Sequence, residues 1–107
     1  MVRDELAAWL RLAMTPGVGR GSARKLLAAF GLPQRIFDES AEALAAVVHS
    51  PQVQALCIEP EGWSAQVETT WGWLQRQPSR RLVTQADPAY PPALLQTEDP
   101  PLMLYME

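Results

Sequence analysis

The sequence has little of the chemistry that metal sites and most enzymes require. It contains one cysteine, Cys57, and one histidine, His49, so it can form no internal disulfide and no cysteine–histidine metal cluster. Cys57 lies between Leu56 and Ile58 and is predicted to fill a small space in the core. The acids are spread over predicted helix surfaces, and no serine lies near a candidate base. We therefore predict no enzyme activity, no metal and no cofactor.

Long apolar runs are also missing. No stretch approaches the roughly 20 apolar residues that a membrane-spanning helix needs. The first residues, Met1–Glu5, lack the charged and then apolar layout of a signal peptide. We therefore expect a cytoplasmic protein without a membrane partner.

Charge is present but unevenly distributed. The formal net charge of -3 is unusual for a protein that binds a nucleic-acid backbone. Residues 6–37 carry only positive charge, and residues 38–75 carry only negative charge. The basic residues of the first stretch are Arg11, Arg20, Arg24, Lys25 and Arg35. One interpretation is a partner that meets the basic half, and the other is an ordinary solvated helix face.

Apolar residues at three- and four-residue intervals predict a mainly α domain over residues 1–78, a bundle of about five short helices. The helix ends follow from local signals. Arg3 or Asp4 begins the first helix, Gly31 ends the second, Pro33 begins a short third, and Ser40, Ser50 and Ser64 cap the others.

The last of these helices carries Trp71 and Leu74, which are predicted to pack on the first two helices. Gly72 beside them suggests close packing against a neighbouring helix. We expect no basic residue to accompany Trp63, Trp71 or Trp73. Burial is therefore favoured over base stacking as their role.

Residues 79–107 have a different composition. Arg80–Thr84 and Leu102–Tyr105 are predicted to be short strands, separated by a proline-rich connection. Because two strands alone are marginal in water, we expect this segment to be extended and loosely attached. It would begin an α/β domain that is absent from the chain.

The turn between the first two helices carries the candidate site. Pro16, Gly17 and Gly19 favour a sharp reversal. The helix that follows presents amide donors at the positive end of its dipole, and basic side chains lie beside them. A phosphate would fit there. The predicted phosphate-binding residues are Gly17, Val18, Gly19, Arg20, Gly21, Ser22, Arg24 and Lys25.

Two other interpretations of these glycines exist. A dinucleotide fingerprint needs a preceding strand and a third glycine at its end, and the element before Gly17 is helical in pattern. The remaining alternative is a helical hairpin whose glycines only make the turn and touch no ligand.

Two motifs resemble known families. The leucine-bearing helix, Pro16-Gly17-Val18-Gly19 and the following Leu26-Leu27 resemble a helix-hairpin-helix, which binds nucleic-acid backbone without reading sequence. The segments Asp87–Leu95 and Asp99–Tyr105 resemble the entry into the core of the DNA-processing protein A family. The order and spacing of the motifs suit the N-terminal region of such a protein.

The resemblance implies a role in natural transformation and recombination. It also implies single-stranded DNA and a recombinase as partners, both bound mainly by an absent Rossmann-like core. Two hypotheses follow for this region. It is either an accessory domain that contacts DNA backbone weakly, or a sterile-alpha-motif-like module that binds a protein or a second copy of itself and forms a homo-oligomer.

Overall fold

The computed structural model describes residues 2–97 and 100–106. Over these residues the protein is mainly helical, with one two-stranded sheet. The helices are α1 (Arg3–Met14), α2 (Arg20–Phe30), α3 (Pro33–Asp38), α4 (Ala41–Ala45), α5 (Ser50–Leu56), α6 (Trp63–Arg76) and α7 (Pro92–Leu95), and the strands are β1 (Arg81–Thr84) and β2 (Met103–Met106). Asp99, which opens the second motif of the predicted domain entry, lies outside the described residues.

Local signals place three of the helix ends correctly. Gly31 ends α2 with a positive φ of 93°, which glycine adopts without steric cost. Pro33 is the first residue of α3, where its missing N–H costs nothing. Ser40 caps α4 by accepting a hydrogen bond from the Ala43 N–H at 3.2 Å.

Two predicted caps are wrong. The cap of α5 is His49 rather than Ser50, and its N–H donates to Oε1 of Gln52 at 3.0 Å. The cap of α6 is Gly62 rather than Ser64. Gly62 has φ of 79°, a conformation that lets the chain turn into the helix two residues earlier than the serine would.

Helix α1 is buried on two sides. On one side Trp9 and Leu12 join a cluster with Leu26 and Ile36. The other members of this cluster are Val18, Ala23, Leu44, Val48, Val53, Leu56 and Leu102. We call it the hairpin cluster, because α2 and α3 lie against α1 here.

On its other side α1 packs against α6. Leu6 and Leu10 join Val67 and Leu82 in a second cluster, which we call the sheet cluster. Trp71 and Leu74 are partly buried against it, so their predicted packing on α1 is confirmed. The predicted packing on α2 is not seen, because its residues Leu27 and Phe30 pack on the hairpin cluster instead.

The strands form one antiparallel sheet. Their register pairs Leu82 with Tyr105 and Val83 with Leu104. Leu82 lies in the sheet cluster and Val83 is fully buried. The predicted strands are therefore confirmed within one residue, but the expectation that this segment is loosely attached is wrong. Two strands are marginal in water, and here helices α1 and α6 cover one face of the pair.

The connection between the strands is also fixed. The Tyr90 hydroxyl donates to the Pro101 carbonyl at 2.6 Å, and Tyr90 is only 2% exposed. The Gln85 side-chain amide donates to the carbonyls of Pro100 and Pro101. These bonds hold the proline-rich segment against the start of β2.

Two further expectations from the sequence are wrong. Cys57 is exposed rather than buried, because its helix turns Val53 and Leu56 inward instead. Gly72 has no neighbouring atom within 4 Å of where a Cβ would lie, so no close helix contact requires it. Both errors come from treating a small residue as a packing signal.

We predict that Leu82→Ala will lower the free energy of unfolding by about 2–5 kcal/mol, because it empties a buried site between α1 and the sheet. The measurement is denaturant unfolding followed by tryptophan fluorescence. Ile58→Ala, at a 67% exposed position, is the matched control and should change stability by less than about 0.5 kcal/mol. Equal unfolding midpoints for Leu82→Ala and the parent would show that the segment after Pro78 adds nothing to the fold.

Candidate functional site

The α1–α2 turn, residues Thr15–Gly19, is held by hydrogen bonds and by the backbone conformation of Gly17. The Thr15 hydroxyl donates to the Arg11 carbonyl at 2.7 Å, which closes the last turn of α1. The Val18 N–H donates to the Thr15 carbonyl at 3.3 Å. Gly17 between them has φ of 78°, so glycine is required there for conformation. The turn is a fixed structure rather than a slack loop.

Val18 anchors the turn in the interior. Its side chain is 8% exposed and belongs to the hairpin cluster. Its N–H is already bonded within the turn. Of the predicted phosphate-binding residues, Val18 therefore contributes to the shape of the turn and not a donor for an anion.

The start of α2 is open to solvent. Gly19 is the N-terminal cap, and its carbonyl accepts the first helical bond from Ala23 at 2.9 Å. Gly19 and Gly21 are exposed, and a Cβ added at either would meet no atom within 4 Å. The amides at the first turn of any helix have no acceptor within the helix. A ligand can therefore approach the backbone here without a side chain in its way.

Gln52 closes the turn from the opposite side. Its Nε2 donates to the Gly17 carbonyl at 3.2 Å and to the Ser22 hydroxyl at 2.8 Å. Its Oε1 accepts from the His49 N–H. One side chain of α5 thus holds the turn, the first turn of α2 and its own helix start together. Ser22, a predicted site residue, is partly occupied by this bond.

The predicted basic residues do not all face the turn. Arg20 and Lys25 are exposed on α2. Arg24 is also exposed, but its guanidinium donates to the Leu95 carbonyl at 3.3 Å, at the end of α7. Arg24 therefore links α2 to the proline-rich segment. Arg20 and Lys25 are the other two exposed basic residues of α2.

Arg11 is withdrawn from the surface. Its guanidinium lies 4.3 Å from the Phe37 ring centroid and 5.6 Å from that of Trp63, and it donates to the Leu56 carbonyl at 3.2 Å. Its Nε is buried without a hydrogen-bond partner. Cation–π contact offsets part of this cost. The exposed basic surface formed by residues 6–37 is therefore smaller than the number of basic residues in this stretch indicates.

Basic residues do accompany two of the tryptophans, against expectation: Arg11 lies beside Trp63, and Arg80 lies beside Trp73. Arg80 lies 4.8 Å above the Trp73 ring and donates to the Trp73 carbonyl at 3.2 Å. A turn closed by the Arg80 N–H and the Gln77 carbonyl brings the chain back over the end of α6. The sequence does not indicate this contact, because Arg80 and Trp73 are seven residues apart and the chain reversal after Gln77 brings them together.

Other features of the described chain add no chemistry to the turn. A cleft of about 590 Å³ lies between α1, the end of α6 and β1, and both signs of charge line it, including Glu5, Arg81 and Asp87. Within residues 2–97 and 100–106, no three His, Cys, Asp or Glu side chains come together as a metal site. No helix in the same ranges is both long and apolar enough to cross a membrane.

We predict that Gln52→Ala will lower the free energy of unfolding by about 1–2 kcal/mol, since it removes the hydrogen bonds to Gly17 and Ser22 and the bond that caps the start of α5. Amide exchange at Gly17–Ser22 should accelerate more than exchange in α6. Gln54→Ala, exposed on the same helix, is the control for helix propensity and is expected to match the parent. Similar exchange rates in the two variants would remove Gln52 from the account of the turn.

The chain matches no protein-family model, no curated protein and no solved structure. Its resemblance to helix-hairpin-helix and DNA-processing proteins stays a prediction from the two motifs.

Proposed function

We propose that the α1–α2 turn contacts the phosphate backbone of DNA weakly and without reading its sequence. In this proposal the turn is a helix-hairpin-helix, and the chain is an accessory N-terminal domain of a cytoplasmic DNA-processing protein that acts in natural transformation and recombination. The observation that carries it is the open start of α2, where exposed Gly19 and Gly21 leave the backbone accessible beside exposed Arg20 and Lys25. Amides at a helix start and nearby cations favour an anion.

The proposed contact is small because few groups serve it. Val18 and Ser22 already have partners within the protein, and Arg24 bonds to Leu95. We expect the turn to neutralise about two phosphates. At a slope near -0.7 per phosphate for single strands, a tenfold rise in salt weakens binding by about 25-fold. In the proposal, a Rossmann-like core outside these residues holds the main single-strand site and the recombinase contact, and this chain performs no catalysis.

The direct test is the double variant Arg20→Ala, Lys25→Ala. It should weaken binding of a short single-stranded oligonucleotide at low salt and flatten the salt slope, with no dependence on base sequence, because groups directed at phosphates read no base edge. Fluorescence anisotropy measures both quantities. Arg3→Ala is the matched control: it removes an arginine about 16 Å along α1 from the turn and breaks only an exposed ion pair with Glu68.

Amide shifts locate the contact independently. Titration with the oligonucleotide should move the amides of residues 17–25 more than those of α6. If none of these amides moves at low salt, or if the double variant binds as the Arg3→Ala control does, the turn is only a structural reversal.

The second candidate is self-association through opposite charges. Exposed Asp38, Glu39 and Glu42 lie close together in sequence at the junction of α3 and α4, and exposed Arg20 and Lys25 lie on α2. Such unlike surfaces would join copies head to tail, an open arrangement typical of some sterile-alpha-motif modules. Without DNA, sedimentation should then show association that salt weakens and that Glu39→Gln with Glu42→Gln abolishes. A monomer at low salt would exclude this candidate.

A further inference from the structure

A small aromatic groove lies between α6 and β2. The residues that line it are Gln66, Thr69, Thr70, Trp73 and Tyr105. Its volume is about 200 Å³, which is less than the roughly 300–1,000 Å³ of sites for whole cofactors or drug-sized ligands. Tyr105 is 56% exposed, and its ring centroid lies 5.8 Å from that of Trp73, with the planes at 59°. The groove therefore suits a single flat ring system.

The rings are held by the fold. The sheet register pairs Tyr105 with Leu82, so both side chains lie on the sheet face that packs against the helices. On α6, Thr70 is 5% exposed and accepts a hydrogen bond from the Gln66 side-chain amide at 3.0 Å. One wall of the groove is therefore built on α6, and the Tyr105 ring of β2 lies against Trp73 on the other side.

The charge around the groove is positive. Among residues 2–97 and 100–106, no acid lines the groove, and Arg80 lies in contact with the Trp73 ring. Arg76 follows Trp73 by three residues, so the two are neighbours on the surface of α6. From Thr69 to Ala86 the sequence contains three arginines and no acid, although the whole chain has a net charge of -3. A partner with flat rings and negative charge complements this surface.

We propose that Trp73 and Tyr105 form a stacking site for one base of single-stranded DNA, with Arg76 and Arg80 attracting the phosphates on either side of that base. Aromatic stacking beside cations is the usual way to bind a strand without reading its sequence, since every base presents a π-face. The base must be unpaired, because a duplex keeps both of its faces covered. This site is separate from the α1–α2 turn and goes beyond the function proposed for it.

The test compares two probes and three variants of the whole chain. The probes are a short oligothymidylate and an abasic strand of equal length, which keeps the phosphates but has no bases. The variants are Tyr105→Ala, which removes the ring, Tyr105→Phe, which keeps it, and Ile58→Ala, an exposed apolar control outside the groove. Binding is measured by anisotropy at low salt, and circular dichroism checks each fold.

We expect the parent to bind the abasic strand about 5- to 100-fold more weakly than the oligothymidylate. Tyr105→Ala should lose a similar factor on the oligothymidylate and nothing more on the abasic strand, whereas Tyr105→Phe and Ile58→Ala should bind as the parent does. A parent that binds both probes equally, or neither, overturns the proposal, as does a Tyr105→Ala variant that binds like the parent. If sedimentation shows a dimer that Tyr105→Ala dissociates, and no strand binds, the groove is an interface between copies.

The two proposals fail in different ways. Loss of the turn contact in Arg20→Ala, Lys25→Ala weakens binding of both probes by the same factor, because both keep their phosphates. Loss of the stacking site affects only the probe with bases. The ratio of affinities for the two probes therefore reports on the groove alone.

Discussion

The burial of α1 on two faces is the constraint on which the other elements depend. Leu6 and Leu10 face the sheet cluster, and Trp9 and Leu12 face the hairpin cluster. Because both stripes must leave water, α2 and α3 have to lie on one side, and α6 and β1 on the other. The position of the α1–α2 turn and the position of the aromatic groove are both consequences of this arrangement. One helix thus supports two surfaces that share no residue.

The sequence predicts local events well because local residues determine them. Gly31, Pro33 and Ser40 mark helix ends through backbone conformation or a cap that reaches three residues ahead, and such signals need no information from elsewhere in the chain. The caps at His49 and Gly62 differ from the predicted ones because local signals alone do not decide between neighbouring candidates. In each case a serine nearby offers an equally good local signal, and the wider path of the chain decides between them.

Contacts between distant residues could not be predicted in this way. Nothing in the sequence around Gln52 indicates that its side chain closes a turn 30 residues earlier. The same holds for Arg11 over Phe37, for Arg24 at Leu95 and for Arg80 over Trp73. The charge asymmetry of the sequence is a count of charged residues. The electrostatic field at the surface depends on how many of those side chains remain exposed after others have bonded inside the fold. The turn between α1 and α2 lies where the sequence predicts it, but Arg11 and Arg24 have internal partners that the sequence does not indicate.

The sheet cluster contains residues of α1, α6 and β1, so it limits where the chain can be cut into a stable fragment. A fragment that ends at Pro78 would keep helices α1 to α6, and yet Leu82 would no longer cover Leu6 and Leu10. The apolar surface uncovered on α1 and α6 would be contiguous, and exposed patches of that kind cause proteins to aggregate. Poor solubility of such a helical fragment would then reflect a missing strand rather than an unstable bundle. The natural unit for handling the helices in isolation includes the strands that follow them.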